Sequence, residues 1–100
     1  MTGMSFAVTH NPAASRFEAR VGGHLAECSY RRQGGLLVLP HTEVPAALQG
    51  QGVAAALVAA TLAWAREQGL QVRPVCSYVA VYMQRHPETH DLLKPQSTAG

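Results

Sequence analysis

From Ser15 to Val21 apolar and polar residues alternate, with Phe17, Ala19 and Val21 on one side and Arg16, Glu18 and Arg20 on the other. A period of two is the signature of a half-buried strand. Gly22-Gly23 then supplies a two-residue hairpin turn, because glycine accepts the positive φ that such turns require. The next strand, His24 to Arg32, puts Leu25 and Glu27 on one face and Ala26, Cys28 and Tyr30 on the other. Gln33-Gly34-Gly35 turns the chain again into a third strand, Leu36 to Thr42. Strands joined by turns this tight form an antiparallel meander. A short extra strand near Phe6-Ala7-Val8 is expected ahead of it, before a turn at His10-Asn11-Pro12.

The pattern changes after Pro45, which cannot donate to a sheet ladder. Gly50 to Gln68 reads as a helix that Gly69 stops. Val53, Leu57, Val58, Leu62 and Trp64 supply its bulk, and a run of alanines keeps the rest slim. Leu70-Gln71-Val72 reads as a short strand closed by Pro74. Cys76 to Arg85 reads as a second helix, halted by Pro87 because the residue before a proline leaves the α region. Strand, strand, strand, helix, strand, helix is an α+β order. The first helix crosses over to a further, parallel strand of the same sheet. The small, polar stretch Pro95 to Gly100 reads as a frayed tail.

The 100 residues suit one domain with one core, spanning about residues 5–93. Apolar residues make up 47% and charged residues 14%, which excludes a disordered chain. A net charge of +2 with scattered arginines excludes the clustered basic stripe of a nucleic-acid binder. The apolar run Val53 to Ala65 is shorter than the roughly 20 residues a membrane span needs, so no membrane partner is expected. The five histidines fit no metal-ligand spacing. Cys28 and Cys76 lack a Cys-x-x-Cys partner, and Met1-Thr2-Gly3-Met4 opens no signal peptide, which points to a reduced, cytoplasmic protein.

The turn Gln49-Gly50-Gln51-Gly52-Val53-Ala54 carries the most chemistry. Glycines between a strand and a helix leave N–H groups bare at the positive end of the helix dipole, where phosphate binds. A nucleotide P-loop would need a lysine here, and the dinucleotide fingerprint would need a glycine at Ala55; both are absent. Gln49, Gly52 and Ala54 match instead the Gln/Arg-x-x-Gly-x-Gly/Ala run of the GCN5-related N-acetyltransferases. Four further stretches extend the resemblance over roughly residues 15 to 93: His41-Thr42-Glu43-Val44-Pro45, Leu57-Val58, Val72-Arg73-Pro74-Val75-Cys76-Ser77-Tyr78-Val79 and Arg85-His86-Pro87-Glu88. Together they resemble the small, single-domain YjdJ-type subgroup, which lacks the usual N-terminal helices.

The resemblance implies a splayed sheet that binds acetyl-CoA. The pantetheine arm would pair with the free edge of Leu36 to Thr42, near Thr42 and Val44. The pyrophosphate would rest on N–H groups of Gln49, Gly50, Gln51, Gly52, Val53 and Ala54. Tyr82 falls where the family places a tyrosine that protonates the leaving thiolate, with Tyr78 one turn earlier as its competitor. Glu43 and His41 share a strand face and are candidates to accept the amine proton. Cys76, at the start of a helix whose dipole favours a thiolate, is a candidate acyl acceptor for a two-step route. Cys28 and Trp64 read as core, and His86 as a helix C-terminal cap.

The function implied is acetyl transfer from CoA to an amine: a protein lysine, a terminal amine or a small amine, in a wide acceptor site. The alternatives are a non-catalytic CoA-binding module and an interaction domain whose glycine turn binds nothing. The third strand's open edge leaves both a monomer and a homodimer in play.

Overall fold

The computed structural model describes residues 7–93. Five strands form one sheet in the order β1 to β5: β1 is Val8–Asn11, β2 Arg16–Val21, β3 His24–Gln33, β4 Leu36–Glu43 and β5 Gln71–Pro74. The first four are antiparallel neighbours, and β5 runs parallel to β4 after the crossover helix α1, Val53–Glu67. The second helix, α2, is Ser77–Arg85. This is the compact α+β meander followed by helix, strand, helix that the hydrophobic pattern predicts.

The alternation along β2 and β3 becomes a two-faced sheet. Phe17, Ala19, Ala26, Cys28 and Tyr30 are buried with Leu37 and Leu39 of β4, and both helices close over this one face. α1 presents Val53, Leu57, Val58, Thr61, Leu62 and Ala65, a stripe at helical spacing. A helix of 15 residues is marginal alone. Burying each large apolar side chain contributes about 1.5–3 kcal/mol, so packing decides its stability. Thr61 is fully buried without penalty because its hydroxyl donates to the Leu57 carbonyl at 2.8 Å.

Several boundaries differ from the sequence reading, each for a physical reason. β1 begins at Val8 and includes His10 and Asn11, which pair with Phe17 and Arg16. Aromatic packing overrides turn propensity there: the His10 ring stacks on Phe17 at 4.3 Å, lies 4.7 Å from Trp64 and reaches the Tyr30 hydroxyl at 2.7 Å. The turn moves to Pro12–Ala14, capped by the Asn11 side chain, with Ser15 left-handed at φ 55. Phe6 and the tail 94–100 lie outside the described residues.

α1 starts at Val53 rather than Gly50, since Gly50 and Gly52 have φ of 82 and 85, outside the right-handed helical region. Cys76 is the N-cap of α2 rather than its first residue, and Pro74 belongs to β5. Two short 3₁₀ turns carry no strong pattern in the sequence. Ala46–Leu48 buries Leu48, and Pro87–Leu92 buries Thr89 and Leu92 before Leu93 bridges to Val72.

The third strand of the meander is not a free edge along its whole length. β5 meets β4 only at Leu36–Leu39, and the Cys76 N–H closes on the Leu39 carbonyl at 2.9 Å. Beyond that bond the chains part, and Pro40–Glu43 keep β3 as their sole strand partner among the described residues.

One irregularity sets which side chains face the opening. Ser29 pairs with His41 and Arg31 with Val38, so Tyr30 alone lies opposite Leu39 and Pro40. That is a β-bulge on β4, at a proline that has no N–H to offer the ladder. The extra residue resets the alternation. Leu37 and Leu39 face the core, and so does Thr42, opposite Cys28, while His41 and Glu43 turn to the uncovered sheet face.

Candidate acyl-CoA site

The opening between β4 and β5 continues into a cleft of about 510 Å³. Thr42 and Val44 from the end of β4 line it on one side. Gln49, Gly50, Gly52, Val53 and Ala54 from the glycine turn line another, and Tyr78 of α2 completes it. Leu48 and Ala55 also line it, though no sequence signal singled them out. Ala55 follows from helical geometry, being the third residue of α1. Leu48 follows from the 3₁₀ turn that presses it inward.

The turn is held open by its own side chains. Gln49 Nε2 donates to the Val44 carbonyl and Gln51 Nε2 to the Ala47 carbonyl, each at 3.1 Å. The first hydrogen bond of α1 runs from the Ala56 N–H to the Gly52 carbonyl at 3.1 Å. The N–H groups of Val53, Ala54 and Ala55 precede it and have no intrahelical acceptor. These N–H groups and the dipole end of a four-turn helix meet at the wall of the cleft, an arrangement suited to phosphate oxygens. At Gly50 an added Cβ would meet nothing within 4 Å. Glycine is needed there for its left-handed backbone, not for space.

Cys76 is half-buried and does not itself line the cleft, but its sulphur lies 3.7 Å from the hydroxyl of Thr42, which does. Burial raises its thiol pKa, but hydrogen bonding from the Val79 N–H, with Thr42 and the Tyr78 N–H, outweighs it and the net shift is downward. Cys28 is the opposite case: burial pushes its thiol up. Neither cysteine is in a disulfide.

The remaining candidates lie apart from the cleft wall. His41 and Glu43 are 60% and 65% exposed on the open sheet face, 3.4 Å from each other. Gln51 points away, to Ala47. Tyr82 stacks on His86 at 3.9 Å and lines a second, smaller cleft of about 180 Å³ between α1 and α2. Burial first, then Glu88 and Tyr78, raise its phenol pKa. Tyr78, also raised by burial, is the tyrosine on the main cleft. His86 is the C-cap of α2, and its Nδ1–H donates to the Tyr82 carbonyl at 2.6 Å.

A parallel pair splays after a bulge, and a glycine turn opens a helix at the splay. The family profile described as GCN5-related N-acetyl-transferase matches residues 16–92, and the chain belongs to that family. It is similar to Protein NATD1 of chicken (Gallus gallus), at 33% identity over 85% of this chain and 80% of that one. Mouse (Mus musculus) Protein NATD1 is 34% identical over 80% and 76% of the two chains. Its fold matches the NMR solution structure of a GCN5-like protein from Staphylococcus aureus with a TM-score of 0.72, over 93% of this chain and 92% of that one at 24% identity. No helix among the described residues is long and apolar enough to cross a membrane.

Proposed function

We propose that this protein is an acetyl-CoA-dependent N-acetyltransferase of the small YjdJ-type subgroup, acting on an amine through an acetyl-Cys76 intermediate. The observation that carries the reading is the cleft itself: a glycine turn with free helix N-terminal N–H groups meets an unpaired strand edge there, and the half-buried Cys76 thiol lies 3.7 Å from Thr42 of its lining. The pyrophosphate of CoA rests on the turn, and the pantetheine arm follows Pro40–Glu43. The Cys76 thiolate attacks the thioester carbonyl, a C–S bond forms to Cys76, and the C–S bond to CoA breaks. Tyr78, its phenol held protonated, faces the cleft and supplies the proton to the leaving CoA thiolate. An amine then attacks acetyl-Cys76, releasing the thiolate. The acceptor approaches from the uncovered sheet face, where Glu43 and His41 are available to take its proton. In a reducing compartment Cys76 stays a free thiol.

Incubation with acetyl-CoA followed by intact mass and peptide mapping tests the intermediate. An acetyl adduct on Cys76, lost in Cys76→Ala, supports it. Turnover of an amine by Cys76→Ala, with loss in Tyr78→Phe or Tyr82→Phe, establishes direct transfer instead. Saturable CoA binding with neither adduct nor turnover over a panel of amines leaves a CoA-binding module. Absence of CoA binding at millimolar concentration removes both readings.

A further inference from the structure

Thr42 stands between two sulphur atoms. Its hydroxyl oxygen is 3.7 Å from Cys76 Sγ and 3.8 Å from Cys28 Sγ. Cys28 is fully buried, and Thr42 is its cross-strand partner on the core face of the sheet. The β4 bulge puts Thr42 there; regular alternation would have turned this residue outward. A valine would fill the same space, so packing alone does not call for a hydroxyl between two thiols.

We propose that Thr42 and Cys28 form a two-step hydrogen-bond relay that positions and stabilises the Cys76 thiolate. This rests on Cys76 being the acyl-accepting thiol. With Cys76 protonated, its S–H donates to the Thr42 oxygen and the Thr42 O–H donates to Cys28 Sγ. When Cys76 loses its proton to water, the Thr42 hydroxyl rotates to donate to the thiolate. The Cys28 S–H, retained because burial opposes its ionisation, then donates to the Thr42 oxygen. Sulphur hydrogen bonds are weak when neutral and strengthen when one partner is charged, so the relay favours the thiolate state. No proton moves between the two cysteines.

The strongest influences on Cys76 come from uncharged neighbours. The titratable groups on the elements around it are His24, Glu27, Cys28, Tyr30, Arg31 and Arg32 on β3, His41 and Glu43 on the outer face of β4, Arg66 and Glu67 at the C-terminal end of α1, Arg73 on β5, and Tyr78, Tyr82 and Arg85 on α2. Glu27 is engaged by Arg16, and His41 with Glu43 lies on the far side of the sheet from Thr42. The hydroxyl is therefore the side-chain group best placed to respond to the thiol.

The test is the pH profile of Cys76 alkylation by iodoacetamide, read by peptide mapping. Thr42→Val is expected to move the midpoint to higher pH and slow alkylation at neutral pH about threefold. The high-pH plateau should not fall, because a thiolate freed of its donor is the stronger nucleophile. Thr42→Ser should restore the wild-type midpoint. Cys28→Ala should raise it by less than Thr42→Val, and Cys28→Ser should leave it near wild type. A wild-type midpoint in Thr42→Val, or a changed plateau with an unmoved midpoint, overturns the relay and leaves Thr42 a packing residue. Should Thr42→Val fail to fold, the Cys28 pair decides: equal midpoints in Cys28→Ala and wild type overturn it. The readout contains no CoA. A shifted midpoint without acetyl-Cys76 thus sinks the functional reading alone, and acetyl-Cys76 with unmoved midpoints sinks the relay alone.

Discussion

Gly50 shows how one backbone angle carries a site. Its φ of 82 lies where an L side chain costs roughly 1–2 kcal/mol, yet space for a Cβ is open. Gly50→Ala is therefore expected to lower stability in urea by about that amount without disturbing the core. It should weaken CoA binding only as far as the turn relaxes. A loss well above 3 kcal/mol would mean that the residue is sterically trapped. The need for glycine here was legible in the sequence, because the spacing of Gly50 and Gly52 ahead of an apolar helix is local chemistry. The separation of Tyr78 from Tyr82 was not legible. Both fall on one helix face by spacing, and only the position of α2 against β4 and α1 puts the first on the main cleft and the second on another.

Among the elements, the bulge in β4 has the largest consequence. Deleting Pro40 would remove the extra residue and restore one-to-one pairing, with Leu39 and Thr42 still toward the core and His41 and Glu43 still on the outer face. Because no side chain changes face, the variant should keep a cooperative melt and its buried core, and lose only the bend that the bulge gives β4. Loss of CoA binding with a retained melt would show that the bend of β4, rather than the facing of its side chains, opens the cleft. In α1, Leu57→Ala should cost about 2–5 kcal/mol by chemical denaturation, since Leu57 is fully buried in the core. The turn after α2 is tied to α1 by Arg66, which bonds the Asp91 carboxylate and the Glu88 carbonyl. The Arg66 hydrogen bond holds the Asp91 carboxyl below its ordinary value. A carboxyl depressed in the folded state contributes stability above its unfolded pKa, and that contribution is lost as pH falls through the folded value. On acidification below about pH 4, wild type should therefore lose more melting temperature than Asp91→Asn, which has no carboxyl to protonate there.

For the whole molecule, a ligand that binds only the folded state adds stability in proportion to the logarithm of its concentration. Saturating CoA at about a hundred times its Kd should add about 2.7 kcal/mol, a rise of roughly 10 °C or more for a domain of this size. An unmoved melting temperature would argue against CoA as the ligand. The helices lie on one sheet face among the described residues, and the other face carries Arg16, Glu18, Glu27, His41 and Glu43. The acyl donor and the acceptor can thus reach the splay from different sides.

The sequence by itself determined the strands of the meander, the crossover helix, the glycine turn and the family, because each is written in residues close together along the chain. Period-two alternation, paired glycines and a helix start need no distant partner. Only the tertiary structure decided where β1 sits, since that depends on His10 packing between Phe17 and Trp64. The same holds for the faces of Thr42, His41 and Glu43, which depend on how many residues of β4 oppose Tyr30. The contact between Cys76 and Thr42 joins positions far apart in the chain. It exists because β5 stops pairing at Leu39, and no local pattern records where two strands part.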